Sequence, residues 1–253
     1  MRGLFVTATD TDVGKTVLSA ALLAAIGAAG EPVAAHKPAV TGLDEAPAGP
    51  WPRDHELLGA AAGMAPEEVA PLRFGPAVSP QLAAELAGEP LPRARVLDAA
   101  REALASASDH GDHEARGATL IVEGAGGLLS PLADELTVCD LAVALRLPLL
   151  IAARPGLGTI NHTLLTLQVA RAAGLTVRAV VLTPWPERPS RLERSNREAI
   201  ARFGFVEVAV LPRACGPELA ELARIGEELP WRRWLGRRAG VAVAAGAGAG
   251  AAA

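Results

Sequence analysis

Ala8-Thr9-Asp10-Thr11-Asp12-Val13-Gly14-Lys15-Thr16 follows directly on the apolar run Gly3-Leu4-Phe5-Val6-Thr7 and leads straight into Val17-Leu18-Ser19-Ala20-Ala21-Leu22-Leu23. A strand, a short polar turn ending in Gly-Lys-Thr and a helix in immediate succession read as a phosphate-binding loop. Such a turn aims backbone N–H groups at phosphate oxygens, and the helix dipole adds partial positive charge at the same point. Asp12, Val13, Gly14, Lys15, Thr16 and Val17 are the candidate nucleotide contacts. Lys15 is expected to reach the β- and γ-phosphates and to face solvent when the loop is empty, and the Thr16 hydroxyl to ligate magnesium.

Outward from this loop, the use of lysine is informative. The chain has two lysines, Lys15 and Lys37, against twenty-two arginines among its 24 basic side chains. Lys37 closes the next apolar run, Pro32-Val33-Ala34-Ala35-His36-Lys37-Pro38. An ammonium is a compact point charge with three donors, whereas guanidinium is a broad planar fork. Codon bias accounts for the scarcity of lysine. It does not account for both survivors standing at successive strand ends, where open α/β sheets bind ligands.

A carboxylate stands at a third strand end. Ala118-Thr119-Leu120-Ile121-Val122 carries no charge until Glu123, and Gly124-Ala125-Gly126-Gly127 follows. Neighbouring strands lie about 4.8 Å apart, so this carboxylate can face a magnesium ion across the sheet from Thr16. The alternative is a turn or helix-capping carboxylate, but the small residues after it favour close ligand approach. Asp54 is expected to cap a helix over 54–62, and capping by itself explains it.

Short apolar runs alternating with segments of helical period predict a parallel sheet with crossover helices. The expected strands are 3–7, 33–36, 118–122, 148–153, 177–183 and 206–211. The expected helices are 16–29, 54–62, 79–87, 94–107 and 159–173, with a loop over 38–52. Residues 1–238 read as one domain. The tail from Gly240 is a low-complexity Gly/Ala segment, expected to be disordered. A net charge of -4 argues against a general nucleic-acid binder. No apolar run approaches the roughly 20 residues of a membrane span. Two cysteines, Cys139 and Cys215, are too few for a disulfide framework, which fits a reducing cytoplasm. Asp109-His110-Gly111-Asp112-His113-Glu114 reads as a solvated linker rather than a metal site. The Trp231-Arg232-Arg233-Trp234 segment reads as a final helix packing its tryptophans. His162 stands at a helix start, where it either caps the helix or lines the pocket.

Thr9 to Thr16, Lys37-Pro38-Ala39-Val40-Thr41-Gly42, Val122-Glu123-Gly124-Ala125-Gly126-Gly127 and Gly158-Thr159-Ile160-Asn161-His162-Thr163 occur in this order in the dethiobiotin synthetases. Over about residues 3–222 the chain resembles that family. The resemblance implies a doubly wound, mostly parallel sheet flanked by helices, a three-layer α/β/α fold of the P-loop NTPase type. It implies an ATP- and Mg2+-dependent ligase that closes the ureido ring of dethiobiotin on 7,8-diaminononanoate with carbon dioxide. It also implies a homodimer with the substrate near the subunit interface.

Carried over by position, Lys37 and Lys15 are the catalytic residues, with Lys37 on the carbamate and the phosphate. Thr41, Ser79 and Asn161 contact the substrate, and Thr16, Asp54 and Glu123 hold magnesium. Glu123, Gly124, Ala125 and Gly126 border the nucleotide. Two departures stand out. Ala8 replaces the usual opening glycine, which is tolerable where the local φ is negative. Thr183-Pro184 replaces an Asn-Asp pair that reads adenine, so Pro212, Arg213 and Ala214 are left to carry more of the base recognition. One rival reading is a nucleotide-switch ATPase of the partitioning type, which carries an early loop lysine where this chain has Thr9. A second is an amidotransferase-type synthetase, which needs an added glutaminase domain.

Overall fold

The computed structural model describes residues 2–47, 49–108 and 117–236. In chain order the first half contains β1 (Gly3–Ala8), α1 (Lys15–Ala28), β2 (Val33–His36), α2 (Asp54–Ala62), α3 (Pro66–Val69), α4 (Pro80–Leu86), α5 (Arg93–Ser108) and β3 (Thr119–Glu123). A small hairpin, β4 (Pro131–Ala133) and β5 (Leu136–Thr137), leads into α6 (Val138–Leu145). The second half continues with β6 (Leu149–Ala153), α7 (Thr159–Ala172), β7 (Val177–Trp185), α8 (Arg191–Gly204), β8 (Val208–Pro212), α9 (Leu219–Glu227) and α10 (Trp231–Trp234).

Six strands form one parallel sheet in the order β2-β3-β1-β6-β7-β8. Side chains alternate between its two faces, as the two-residue period of a strand requires. Leu4, Val6 and Ala8 pack with Ile121, Leu150, Ala152, Ala179 and Val181 beneath α1, α2 and α9. Phe5 packs with Leu120, Val122, Ile151, Val180 and Leu182 on the opposite face, beneath α5, α6, α7 and α8. Both faces are therefore covered, which is why the strands read as unbroken apolar runs.

α1 is apolar on nearly every side because it is wedged between the sheet, α2 and α9. The approach of α9 is so close that a Cβ on Gly226 would lie 2.1 Å from the Ala21 carbonyl oxygen. The expected final helix is α10, which buries Trp231 and Trp234 almost completely.

Some expectations need correction. Asp54 is the first residue of α2 and not its cap; Arg53 is the cap, and its N–H donates to the Glu56 carboxylate at 2.9 Å. The last strand begins two residues later than expected, at Val208. Helices α3, α6, α8 and α9 and the hairpin were not anticipated at all. The Asp109–Glu114 cluster and the Gly/Ala tail lie outside the described residues.

Candidate functional site

The sheet order decides which residues meet. Because β3 lies between β2 and β1, the two lysine-bearing strand ends are not neighbours, and Glu123 falls between them. The register pairs Val6 with Glu123 and His36 with Val122, so the three strands end level. Lys37 leaves β2, Glu123 closes β3 and the phosphate loop leaves β1, all at the carboxyl edge of the sheet where such folds take ligands.

Contacts tie these ends together. The Lys37 Nζ lies 2.7 Å from Glu123 Oε1 and 2.7 Å from Asp54 Oδ2. The Thr16 hydroxyl donates to the same Glu123 Oε1 at 2.9 Å. The Glu123 side chain has no solvent exposure, and its Oε2 meets no hydrogen-bond donor among the described residues. Asp54, the N-terminal residue of α2, is turned inward by the reach of Lys37, with 47% of its side chain still accessible.

The ionisation of the two lysines diverges. Burial opposes the charge on Lys37, but the Asp54 and Glu123 carboxylates outweigh it and raise the pKa above the ordinary lysine value. The partial desolvation of Asp54 also disfavours its ionised form, and Lys37 overrides it, holding the carboxyl below its usual range. Lys15 behaves in the opposite way. Its pKa is lowered by burial, which outweighs the opposing pull of the Glu123 carboxylate, and the charge on Lys37 adds to the lowering.

Lys15 does not face solvent as expected. It is 7% exposed, and its ammonium folds back to donate to the Asp10 carbonyl at 3.2 Å. The loop curls around its own lysine, because Gly14 at φ 95 reverses the chain just before α1. A side chain at Gly14 would also meet Thr183, whose Cγ2 and Oγ1 lie 3.2 Å from the Cβ position. Ala8 ends β1 without a positive φ, so its methyl group is accommodated.

A cavity of about 950 Å³ opens over this cluster. It is lined by Asp12, Gly14, Lys15, Thr16, Val17, Lys37, Thr41, Asp54, Ser79, Ala125 and Gly126, so most of the sequence-derived site residues are brought together. Val13 faces the core beneath α1, and Gly124 is buried against Val138. Thr183 is buried behind Gly14. Thr183-Pro184 and Pro212-Arg213-Ala214 lie together at the ends of β7 and β8, where the Arg213 N–H donates to the Trp185 carbonyl at 3.1 Å, outside this cavity's lining.

Asn161 is not brought in; it sits exposed on α7. Its neighbour His162, inside the helix that Gly158 caps, lines a second cavity of about 620 Å³. The two cavities share Thr11, Ser130 and Pro131. Thr11 and Ser130 were missed by sequence reasoning, although Thr11 lies within the loop itself.

A Gly-Lys-Thr turn between a central parallel strand and a buried helix, with an acidic strand end beside it, defines a P-loop nucleotide-binding protein. Comparison with known proteins narrows this. The family described as AAA domain matches residues 2–222. The ATP-dependent dethiobiotin synthetase BioD of Anaeromyxobacter sp. (strain Fw109-5) is 44% identical over 216 residues, 81% of this chain and 91% of that protein. The Mycobacterium avium (strain 104) protein of the same name is 38% identical over 242 residues, 95% of this chain and all (100%) of the relative. That of Bacillus subtilis (strain 168) is 34% identical, with 84% and 88% covered. This chain belongs to the ATP-dependent dethiobiotin synthetase family. Among solved structures, the MinC:MinD cell division protein complex of Aquifex aeolicus matches with a TM-score of 0.48 and 15% identity, over 90% of this chain and 87% of that one, a likeness too loose to bear on function.

Proposed function

We propose that this chain is an ATP-dependent dethiobiotin synthetase acting at the Lys15–Glu123–Lys37 convergence. The substrates are 7,8-diaminononanoate, carbon dioxide and ATP; the products are dethiobiotin, ADP and phosphate. Carbon dioxide and one amine give a carbamate, whose oxygen attacks the γ-phosphorus as ADP departs. The second amine then attacks the carbonyl carbon of the carbamic-phosphoric anhydride, closing the ring and expelling phosphate.

The observation that carries this reading is the placement of Lys37. A carbamate approaching a γ-phosphate brings two anions together, and a fixed cation between them offsets their repulsion. Asp54 and Glu123 hold the ammonium of Lys37 protonated, so its part is positional and electrostatic and not that of a base. Lys15 reaches the phosphates by releasing the Asp10 carbonyl, a weaker partner than a phosphate oxygen. Positioning and charge stabilisation dominate phosphoryl transfer of this kind.

Thr16, Asp54 and Glu123 fit a magnesium ion. All are hard oxygen donors, and magnesium is commonly held by one or two carboxylates together with substrate phosphates. The buried, unpartnered Oε2 of Glu123 supports the same assignment. When bound, the ion neutralises charge on the β- and γ-phosphates. Thr41 and Ser79 line the same cavity and would hold the diamine. Asn161, exposed on α7, would contact the substrate in the homodimer that the family resemblance implies, where the substrate lies near the subunit interface. Among the described residues no helix is long and apolar enough to cross a membrane, and a cytoplasmic address accords with a biosynthetic role.

The deciding experiment measures phosphate release with each substrate omitted in turn. Release that needs both diamine and bicarbonate supports the synthetase. Release with neither present overturns it in favour of a nucleotide switch.

A further inference from the structure

One cation grips the phosphate loop from outside the catalytic convergence. Arg154 is the first residue after β6, and Ala152, near the end of that strand, pairs with Ala8 at the end of β1. From this adjacent strand end the Arg154 Nη2 donates to the Thr11 carbonyl at 3.3 Å and to the Asp12 carbonyl at 3.1 Å. Those two carbonyls bracket Asp12, which stands at φ 54, a region that non-glycine residues seldom occupy without support.

Pinning these oxygens has a geometric consequence. In a planar trans peptide the C=O and N–H point in opposite directions. Carbonyls drawn toward Arg154 therefore turn the N–H groups of Asp12 and Val13 away from it. Neither N–H meets an acceptor in the chain among the described residues. A phosphate-binding loop needs such N–H groups free and aimed in advance.

The arginine is itself anchored. The turn that follows it, Pro155-Gly156, offers its two carbonyls to the Asn196 side chain, whose Nδ2 donates to them at 2.9 Å and 3.0 Å. Asn196 projects from α8, is 5% exposed, and spends both amide hydrogens on this turn. A buried amide used in this way fixes the backbone from which Arg154 departs.

We propose that Arg154 is a positioning residue for the phosphate loop, and that Asn196, by holding the Pro155-Gly156 turn, sets the point from which it reaches. The inference rests on reading residues 8–16 as a nucleotide-binding loop; it adds a residue that touches neither reacting atom.

The test is made on the full chain with a non-hydrolysable ATP analogue and magnesium, alongside steady-state kinetics. Arg154→Ala is expected to weaken analogue binding on the order of tenfold, the usual effect of losing hydrogen bonds from a charged donor. The KM for ATP rises in step, while the KM for the diamine and the melting temperature of the ligand-free protein stay as in wild type. Arg154→Lys, which keeps a charge and enough donors for two carbonyls, restores most of the affinity. Asn196→Ala shifts analogue binding in the same direction. Wild-type affinity in Arg154→Ala overturns the proposal, as does a parallel loss for both substrates with a fall in melting temperature. A wild-type protein that binds no nucleoside triphosphate overturns the loop reading instead, and one that binds it but ignores the diamine overturns only the synthetase.

Discussion

Replacing Lys37 by arginine keeps the charge and changes only its shape, which isolates what the lysine does. The Lys37 nitrogen stands 2.7 Å from one carboxylate oxygen of Asp54 and 2.7 Å from one of Glu123, and the residue is 4% exposed. That space is built around one nitrogen. A guanidinium satisfies both acids with its fork, but only by moving its positive centre or its partners. Displacing a reacting constellation by about 1 Å costs roughly a hundredfold in rate, or about 2.7 kcal/mol of barrier. Stability should change little, because both ion pairs survive. Lys37→Met provides the contrast: it leaves the buried Glu123 without its ion-pair partner, a loss of about 3–5 kcal/mol in folding stability. The assay is phosphate release at saturating diamine, bicarbonate and ATP, with thermal melts of both variants. A K37R enzyme turning over near the wild-type rate would refute the positional argument and return the two-lysine pattern to codon bias.

Lys15→Met should abolish turnover and analogue binding yet leave the ligand-free melting temperature unchanged or higher, because it removes an ammonium whose pKa burial already lowers; a lower melting temperature would contradict this. Glu123→Gln preserves shape and removes the charge proposed to hold magnesium, so the magnesium concentration for half-maximal activity should rise sharply. An unchanged metal titration would reduce Glu123 to a partner of Lys37 alone. His36, 1% exposed with an unpartnered Nε2, has its pKa pushed by burial from 6.5 to about 4. The neutral form is favoured in the fold, so its contribution is intact above pH 6.5 and is lost as pH falls toward 4. Across those 2.5 units the loss amounts to about 3 kcal/mol. His36→Gln should flatten the acid limb of a stability–pH curve, and an unaltered limb would show that other groups set it.

What the sequence disclosed and what it hid follow from how local each signal is. The loop from Ala8 to Thr16 carries its whole meaning in nine adjacent residues, and the six sheet strands each appear as an apolar run between turn residues. From its own neighbours Asp54 was legible only as a possible cap, and its place in the site came from the family resemblance, since its inward turn depends on a lysine seventeen positions earlier. Nothing in Val33-Ala34-Ala35-His36 says that its neighbour will be Thr119–Glu123, so the wedge of Glu123 between the lysines came from the sheet order alone. The burial of Lys15 was hidden for a similar reason, as a charged side chain gives no sign that its own loop will close over it. α8 went unassigned because only Asn196, Ile200 and Gly204 of its residues are buried. Arg154 left a faint trace, the first charge after an apolar strand.

The insertion of β3 between β1 and β2 also sets when the site can exist. β1 and β2 are complete by residue 36, but they share no hydrogen bonds and must wait for a strand that arrives only at residues 119–123. Closing so long a crossover comes late, since non-local pairing must first overcome the entropy of the intervening loop. Until that strand docks, the lysine ends lack the carboxylate that separates them, and two like charges confront an open gap. Glu123 is thus a latch for assembly besides the metal role proposed for it: a growing chain acquires its nucleotide site only once its first half has closed.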